Sequence, residues 1–152
     1  MKVRDSFMIN APKADVWTVF MDVEKLASCV PGCENLVAHS DTEYEADMVV
    51  KTKFMTIKFK ANGVLVDAVE GEEIKVEMVG KPMKLAGLFK AKMGILLEEA
   101  SAENTKVNYE MDLQMTGRLA TLGDILMKGT ITKSANEFAE NVQELFEKEQ
   151  LK

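Results

Sequence analysis

The hydrophobic pattern of this chain switches between a period of two and a period of about 3.6. Residues 2–9 alternate as an opening strand whose Val3, Phe7 and Ile9 suit an inward face, with Met8 out of step. Asn10-Ala11-Pro12 then starts a helix. Proline there has no N–H to leave unpaired, and Asp15 in the first turn is favoured by the helix dipole. Val16, Trp17, Val19 and Phe20 supply its apolar face. Asp22 reads as the cap of a second short helix through about Ser28, which Pro31-Gly32 stops.

Six β runs follow, at about 34–40, 43–52, 55–68, 73–81, 84–98 and 105–116. The breaks between them, Ser40-Asp41, Asp67 to Glu72, Lys81-Pro82 and Ser101 to Asn104, are turn-prone. Met55, Ile57, Phe59 and Ala61 alternate with Thr56, Lys58 and Lys60, and Ile74, Val76 and Met78 with Lys75 and Glu77. One face is therefore dry and the other wet, and the short connections predict an antiparallel meander. The last run carries Val107, Tyr109, Met111, Leu113 and Met115, after which helical spacing takes over at Leu119, Leu122, Leu126, Ala135, Phe138, Val142 and Leu145. A sheet with one dry face must be covered, and the only element long enough is this C-terminal helix, expected over about Leu119 to Glu149. The prediction is an α+β fold with a curved antiparallel sheet around one long helix.

Length and composition fit this picture. At 152 residues one domain, 1–152, is the default, able to bury roughly 70% of its unfolded surface. The longest apolar runs are far below the roughly 18 residues a membrane span needs, and Met1 to Asp5 lacks the apolar stretch of a secretion signal, so the expected location is the cytoplasm. A formal charge of −6 argues against nucleic acid as a partner. Lysines nevertheless cluster at 51, 53, 58 and 60, and at 81, 84, 90 and 92. They read as solvated strand faces, with a docking surface for an acidic partner or anionic lipid head groups as the alternative.

Candidate chemistry is sparse. Cys29 and Cys33 flank a Pro-Gly turn, and His39 is the only histidine, so a metal site would lack ligands. A disulfide is disfavoured in a reducing compartment. No nucleophile with a base and no glycine-rich phosphate loop is present, and Glu98, Glu110 and Asp112 fall on the wet alternation. No catalytic residue, metal or cofactor is expected. What stands out is methionine, eleven in 152 residues, the side chain that fills irregular apolar space with flexible, polarizable atoms.

Four stretches resemble one known family: Phe7 to Pro12 followed by Val16-Trp17; Asp22 to Leu26 leading into Cys29-Val30-Pro31-Gly32-Cys33-Glu34; Asn104-Thr105-Lys106-Val107; and Gly117-Arg118-Leu119-Ala120-Thr121-Leu122-Gly123. The order of elements resembles the helix-grip fold of the START-like (SRPBCC) superfamily, and within it the chain is most similar to the CoxG-like proteins, named for the CoxG component of carbon monoxide dehydrogenase. The resemblance implies a seven-stranded sheet gripping the helix and a non-catalytic accessory protein with a hydrophobic cavity. It further implies a link to the assembly, or to the quinone or membrane connection, of a redox enzyme complex.

If the sheet is concave toward the helix, the lining is expected to include Met48, Val50, Phe59, Met78, Phe89, Met93, Tyr109, Met111 and Met115, faced by Leu122, Leu126 and Phe138. Tyr109, Tyr44 and Arg118 are the polar candidates. The expected partner is a hydrophobic small molecule, a quinone, lipid or isoprenoid, with peripheral contact at the inner face of the membrane as a further possibility. An interaction factor with no ligand and a cyclase-like enzyme of the same fold are the alternatives. Leu119, Leu122, Ile125, Leu126 and Met127 cover more of the helix circumference than one stripe needs, so some apolar surface is expected to stay exposed there. Gly117, Gly123 and Gly129 mark this region as a gate over the cavity mouth or as a contact for membrane or partner.

Overall fold

The computed structural model describes residues 1–150, with side chains for all of these but 124, 125, 149 and 150. Strand β1 (Lys2–Ile9) leads into helices α1 (Lys13–Met21) and α2 (Val23–Cys29). Then come β2 (Cys33–Ala38), β3 (Glu43–Lys51), β4 (Thr56–Val69), β5 (Glu73–Pro82), β6 (Phe89–Ser101) and β7 (Asn104–Met115). A 3-10 segment, Gly117–Leu122, precedes α3 (Asp124–Gln150). The sheet is antiparallel with order β1-β7-β6-β5-β4-β3-β2, so the meander is closed by β1 returning beside β7.

The register fixes which side chains face inward. Val3, Phe7 and Ile9 on β1 oppose Met111, Val107 and Thr105 on β7, which continue through Met93, Leu97 and their neighbours on β6. Met8, which breaks the alternation, points out and is exposed. Pro12 caps α1 from just outside it, its carbonyl accepting from Asp15 and Val16, while the Asp22 side chain caps α2 by accepting from the Lys25 N–H at 3.2 Å. Gly32 ends the turn after α2 at φ +78°, where a Cβ would collide with the Val49 carbonyl, so the Pro-Gly pair also lets β2 approach β3.

The core is tightest where α1, α2 and the second half of α3 meet β1, β6 and β7. Ile9, Val16, Val107 and Val142 are fully buried there. Side-chain hydrogen bonds lock this end. Thr105 Oγ1 donates to the Ala11 carbonyl at 2.8 Å, Gln143 Oε1 accepts from the Asn10 N–H at 2.8 Å, and Asn141 Nδ2 donates to the Cys29 carbonyl at 2.9 Å.

Two expected boundaries are corrected. The long helix does not start at Leu119. Gly123, at φ +84° and ψ 150°, cannot continue a helix, so Leu119 and Leu122 lie on the 3-10 segment and α3 begins at Asp124. The fifth of the six runs, which becomes β6, does not start at 84. Residues 83–88 form a loop whose Ala86 and Leu88 carbonyls accept from the Arg118 and Thr116 N–H groups at 2.9 and 3.0 Å, which ties it to the 3-10 segment rather than to a strand.

Candidate functional site

The inward face of the sheet, away from the tightly packed end, is lined by long apolar side chains that stay only half-buried. Met48 and Val50 on β3, Met78 on β5, Phe89 and Met93 on β6, and Tyr109, Met111 and Met115 on β7 all sit on inward register positions and keep some accessible surface; Phe59 on β4 is buried among them. Backbone approach explains why. α3 comes nearest to β1 and α2, leaving the middle strands to be reached by side chains alone. Methionine suits such a span, since three rotatable bonds let it reach across or fold back.

Most of these residues gather in two groups, which Met93 and Tyr109 do not join. Met48, Val50, Phe89, Met115 and Leu122 pack around Ile57, Phe59 and Leu119, and Met78, Met111, Met115 and Leu122 around Ala91, Leu113 and Met127. Phe89 belongs to both. Its ring lies edge-on to Phe59 at 5.1 Å and occupies the space where a Cβ on Gly80 would stand. Phe138 is elsewhere, in the tight core, with its ring 6.1 Å from Phe7 and 5.8 Å from Phe20. Leu126 joins neither group, and Met127, one residue on, takes the buried place. Sequence reasoning left out Leu85, Ile131 and Met1, which also pack against these groups. Leu85 lies in a loop, where periodicity carries no signal.

Leu119 is 1% exposed, so the excess of apolar surface expected at the helix start is not at this residue; Ile125 lies outside the described side chains. Leu119 closes the interior at the end where the β3–β4 hairpin, the β5–β6 loop and the 3-10 segment converge. The polar candidates divide. Tyr44 donates its hydroxyl to the Asp41 carbonyl, and Arg118 is exposed. Tyr109 faces inward, its ring 6.2 Å from Phe7, and burial, helped by the Asp5 carboxylate, raises its phenol above the usual range.

Titratable groups lie mostly on the outer face. His39 meets Glu45 at 2.9 Å and Arg4 meets Glu110 at 3.0 Å, both pairs exposed. The Asn35 amide, and after it Lys60, hold the Asp47 carboxyl below the ordinary range. A shallow outer groove of about 350 Å³ over Gly94 is bordered by charges of both signs, Lys2, Lys75 and Lys92 beside Glu73, Glu77, Glu110 and Asp112. Cys29 and Cys33 are free thiols, and burial pushes both upward in pKa, so they stay protonated and poorly nucleophilic at neutral pH. Among the described residues no three His, Cys, Asp or Glu side chains group as metal ligands.

This geometry has counterparts. The family model for CoxG, a component of carbon monoxide dehydrogenase, matches residues 6–146. The chain belongs to the CoxG family. No curated protein matches it in sequence. Among solved structures, a conserved protein from Geobacillus kaustophilus superposes with a TM-score of 0.89 at 22% identity, covering 97% of this chain and 96% of that one. A START superfamily protein from Mycobacterium smegmatis gives 0.74 at 11% identity, covering 99% of each. An aromatase/cyclase from a Streptomyces species gives 0.70 at 14%, covering 97% and 93%. The CoxG chain therefore has the START-like helix-grip fold, a fold that also carries an enzyme. Among its described residues no helix is long and apolar enough to cross a membrane.

Proposed function

We propose that this protein is a non-catalytic carrier of a hydrophobic small molecule, a quinone, lipid or isoprenoid, acting as accessory to a redox enzyme complex of the kind its family is named for. One observation carries the reading. Five methionines, Met48, Met78, Met93, Met111 and Met115, sit on inward strand positions and none is fully buried. Apolar side chains that face inward and still keep accessible surface are what an apolar guest would cover, and ligand sites are mostly apolar with few polar groups to orient the guest. Tyr109 is the polar group best placed for that orienting role. His39 with Glu45, and Glu110 with Arg4, form exposed pairs on the outer face, which supports the non-catalytic reading.

The test is organic extraction of gently purified protein followed by mass spectrometry, with uptake assays on a panel of quinones and lipids. A stoichiometric apolar compound is expected. Met111→Trp should fill the space beside Met78 and Met115 and abolish uptake, at a folding cost of about 1–3 kcal/mol checked by thermal melting. A folded Met111→Trp protein that still takes up the compound would refute the site. An empty wild-type protein that accepts nothing would move the function to an assembly factor acting through its surface.

A further inference from the structure

Residues 51–60 and 81–92 hold eight lysines and not one Asp or Glu, in a chain of formal net charge −6. With those eight positive charges set apart from the −6, everything else sums to −14. The two stretches meet in space. They cover the end of β3, the hairpin to β4, the end of β5, the loop to β6 and the start of β6, all at the end of the sheet that Leu119 closes. The eight lysines are exposed, and among the described residues only Lys60 forms an ion pair, with Asp47 at 3.3 Å. The other carboxylates beside them are Glu77 and Asp112, which flank Lys92. The opposite end is acidic, with Glu70, Glu72 and Glu103 on its turns and Glu98 and Glu99 near the end of β6.

The same basic end carries the most exposed large apolar side chains of the described structure. Phe54, at the β3–β4 hairpin, is 79% exposed, and Met83, in the β5–β6 loop, is 58% exposed. The Met83 N–H donates to the Lys58 carbonyl at 2.9 Å, which ties the β5–β6 loop to the start of β4, next to the β3–β4 hairpin. Neither side chain belongs to any apolar cluster, and the Lys53 ammonium lies 5.9 Å from the Phe54 ring.

We propose that this end docks on an anionic lipid bilayer, with Phe54 and Met83 entering the boundary between head groups and acyl chains while the lysines rest on head-group anions. Long lysine stems reach past apolar side chains with the charge kept in the polar layer. Aromatic and apolar anchors among cations are the make-up of an interfacial contact. An acidic protein surface fits less well. Anchors in protein interfaces gain energy inside a pocket ringed by contacts that exclude water, and two projecting loop tips form no such ring. A bilayer supplies one by yielding around the inserted side chain. Docking of this kind goes beyond the carrier reading and requires no cargo.

The experiment is flotation of the full chain, with no ligand added, on phosphatidylcholine vesicles with and without phosphatidylglycerol, at low and high NaCl. Binding is expected only with phosphatidylglycerol present, and it should fall steeply with salt. Lys53→Gln with Lys58→Gln and Lys84→Gln should weaken partitioning on the order of 100-fold, at roughly fivefold per lysine near the surface. Phe54→Ser with Met83→Ser should weaken it even at low salt, and Lys106→Gln, in β7 toward the other end, should leave it unchanged. Each variant is compared at matched thermal stability. A folded wild-type protein that ignores phosphatidylglycerol vesicles, or binds both vesicles equally, overturns the proposal and returns the surface to an acidic protein partner. Unchanged binding of the lysine variant overturns it as well, and unchanged binding of Phe54→Ser with Met83→Ser overturns the insertion. Because the readout needs no cargo, an empty interior and a failed docking are separate results.

Discussion

Thr105 is the fully buried polar side chain of the described core, and its hydroxyl donates to the Ala11 carbonyl at 2.8 Å. That bond joins the start of β7 to the residues leading into α1, where the chain leaves the sheet. Valine has nearly the shape of threonine but no donor. Thr105→Val should therefore strand a buried carbonyl and lower the unfolding free energy by about 1–3 kcal/mol in chemical denaturation. Gly80 works by absence instead. It leaves the space in which Phe89 lies against Phe59, so the aromatic pair at the mouth of the interior depends on a missing Cβ.

The 3-10 segment is the element that sets the geometry of the mouth. It is bounded by Gly123, whose φ of +84° with ψ of 150° is open to glycine and costly for other residues. A Cβ there would meet nothing within 4 Å, so Gly123→Ala tests the backbone alone and should destabilise the protein by about 1–3 kcal/mol. Melting at the wild-type temperature would show that the break is set by packing of Leu119 and not by the glycine. The same break explains what the sequence could and could not disclose. Strands such as Thr56–Val69 and Asn104–Met115 were legible because burial on one face forces a period of two, and with them the inward positions of the methionines. The helix start was not, since Leu119 and Leu122 are three apart, a spacing shared by 3-10 and α turns. Carrying the α period forward from Leu122 lands on Leu126. The reset at Gly123 moves the buried place to Met127. Residues 84–88 misled for a related reason: Leu85 and Leu88 extend the apolar run of β6 backward, whereas the Ala86 and Leu88 carbonyls accept from Arg118 and Thr116.

At the scale of the whole molecule the two ends differ in packing. One end is closed by fully buried Ile9, Val16, Val107 and Val142 and by three side-chain to backbone hydrogen bonds; the other is bordered by half-buried methionines. Local opening is easiest where few buried apolar contacts oppose it. Amide hydrogen exchange should accordingly be slowest along β1, β7 and the second half of α3, and faster by orders of magnitude in the 3-10 segment and the β3–β4 hairpin. Uniform protection would contradict this division. The charge division has a consequence of another kind. A field acts on a monopole by pushing it and on a dipole by turning it, and both actions fade beyond a screening length of about 8 Å at physiological salt. The molecule therefore tumbles freely until the last nanometre of an encounter. Within that nanometre it is rotated before it is held, presenting its glutamate turns to a cationic surface and its lysine loops to an anionic one.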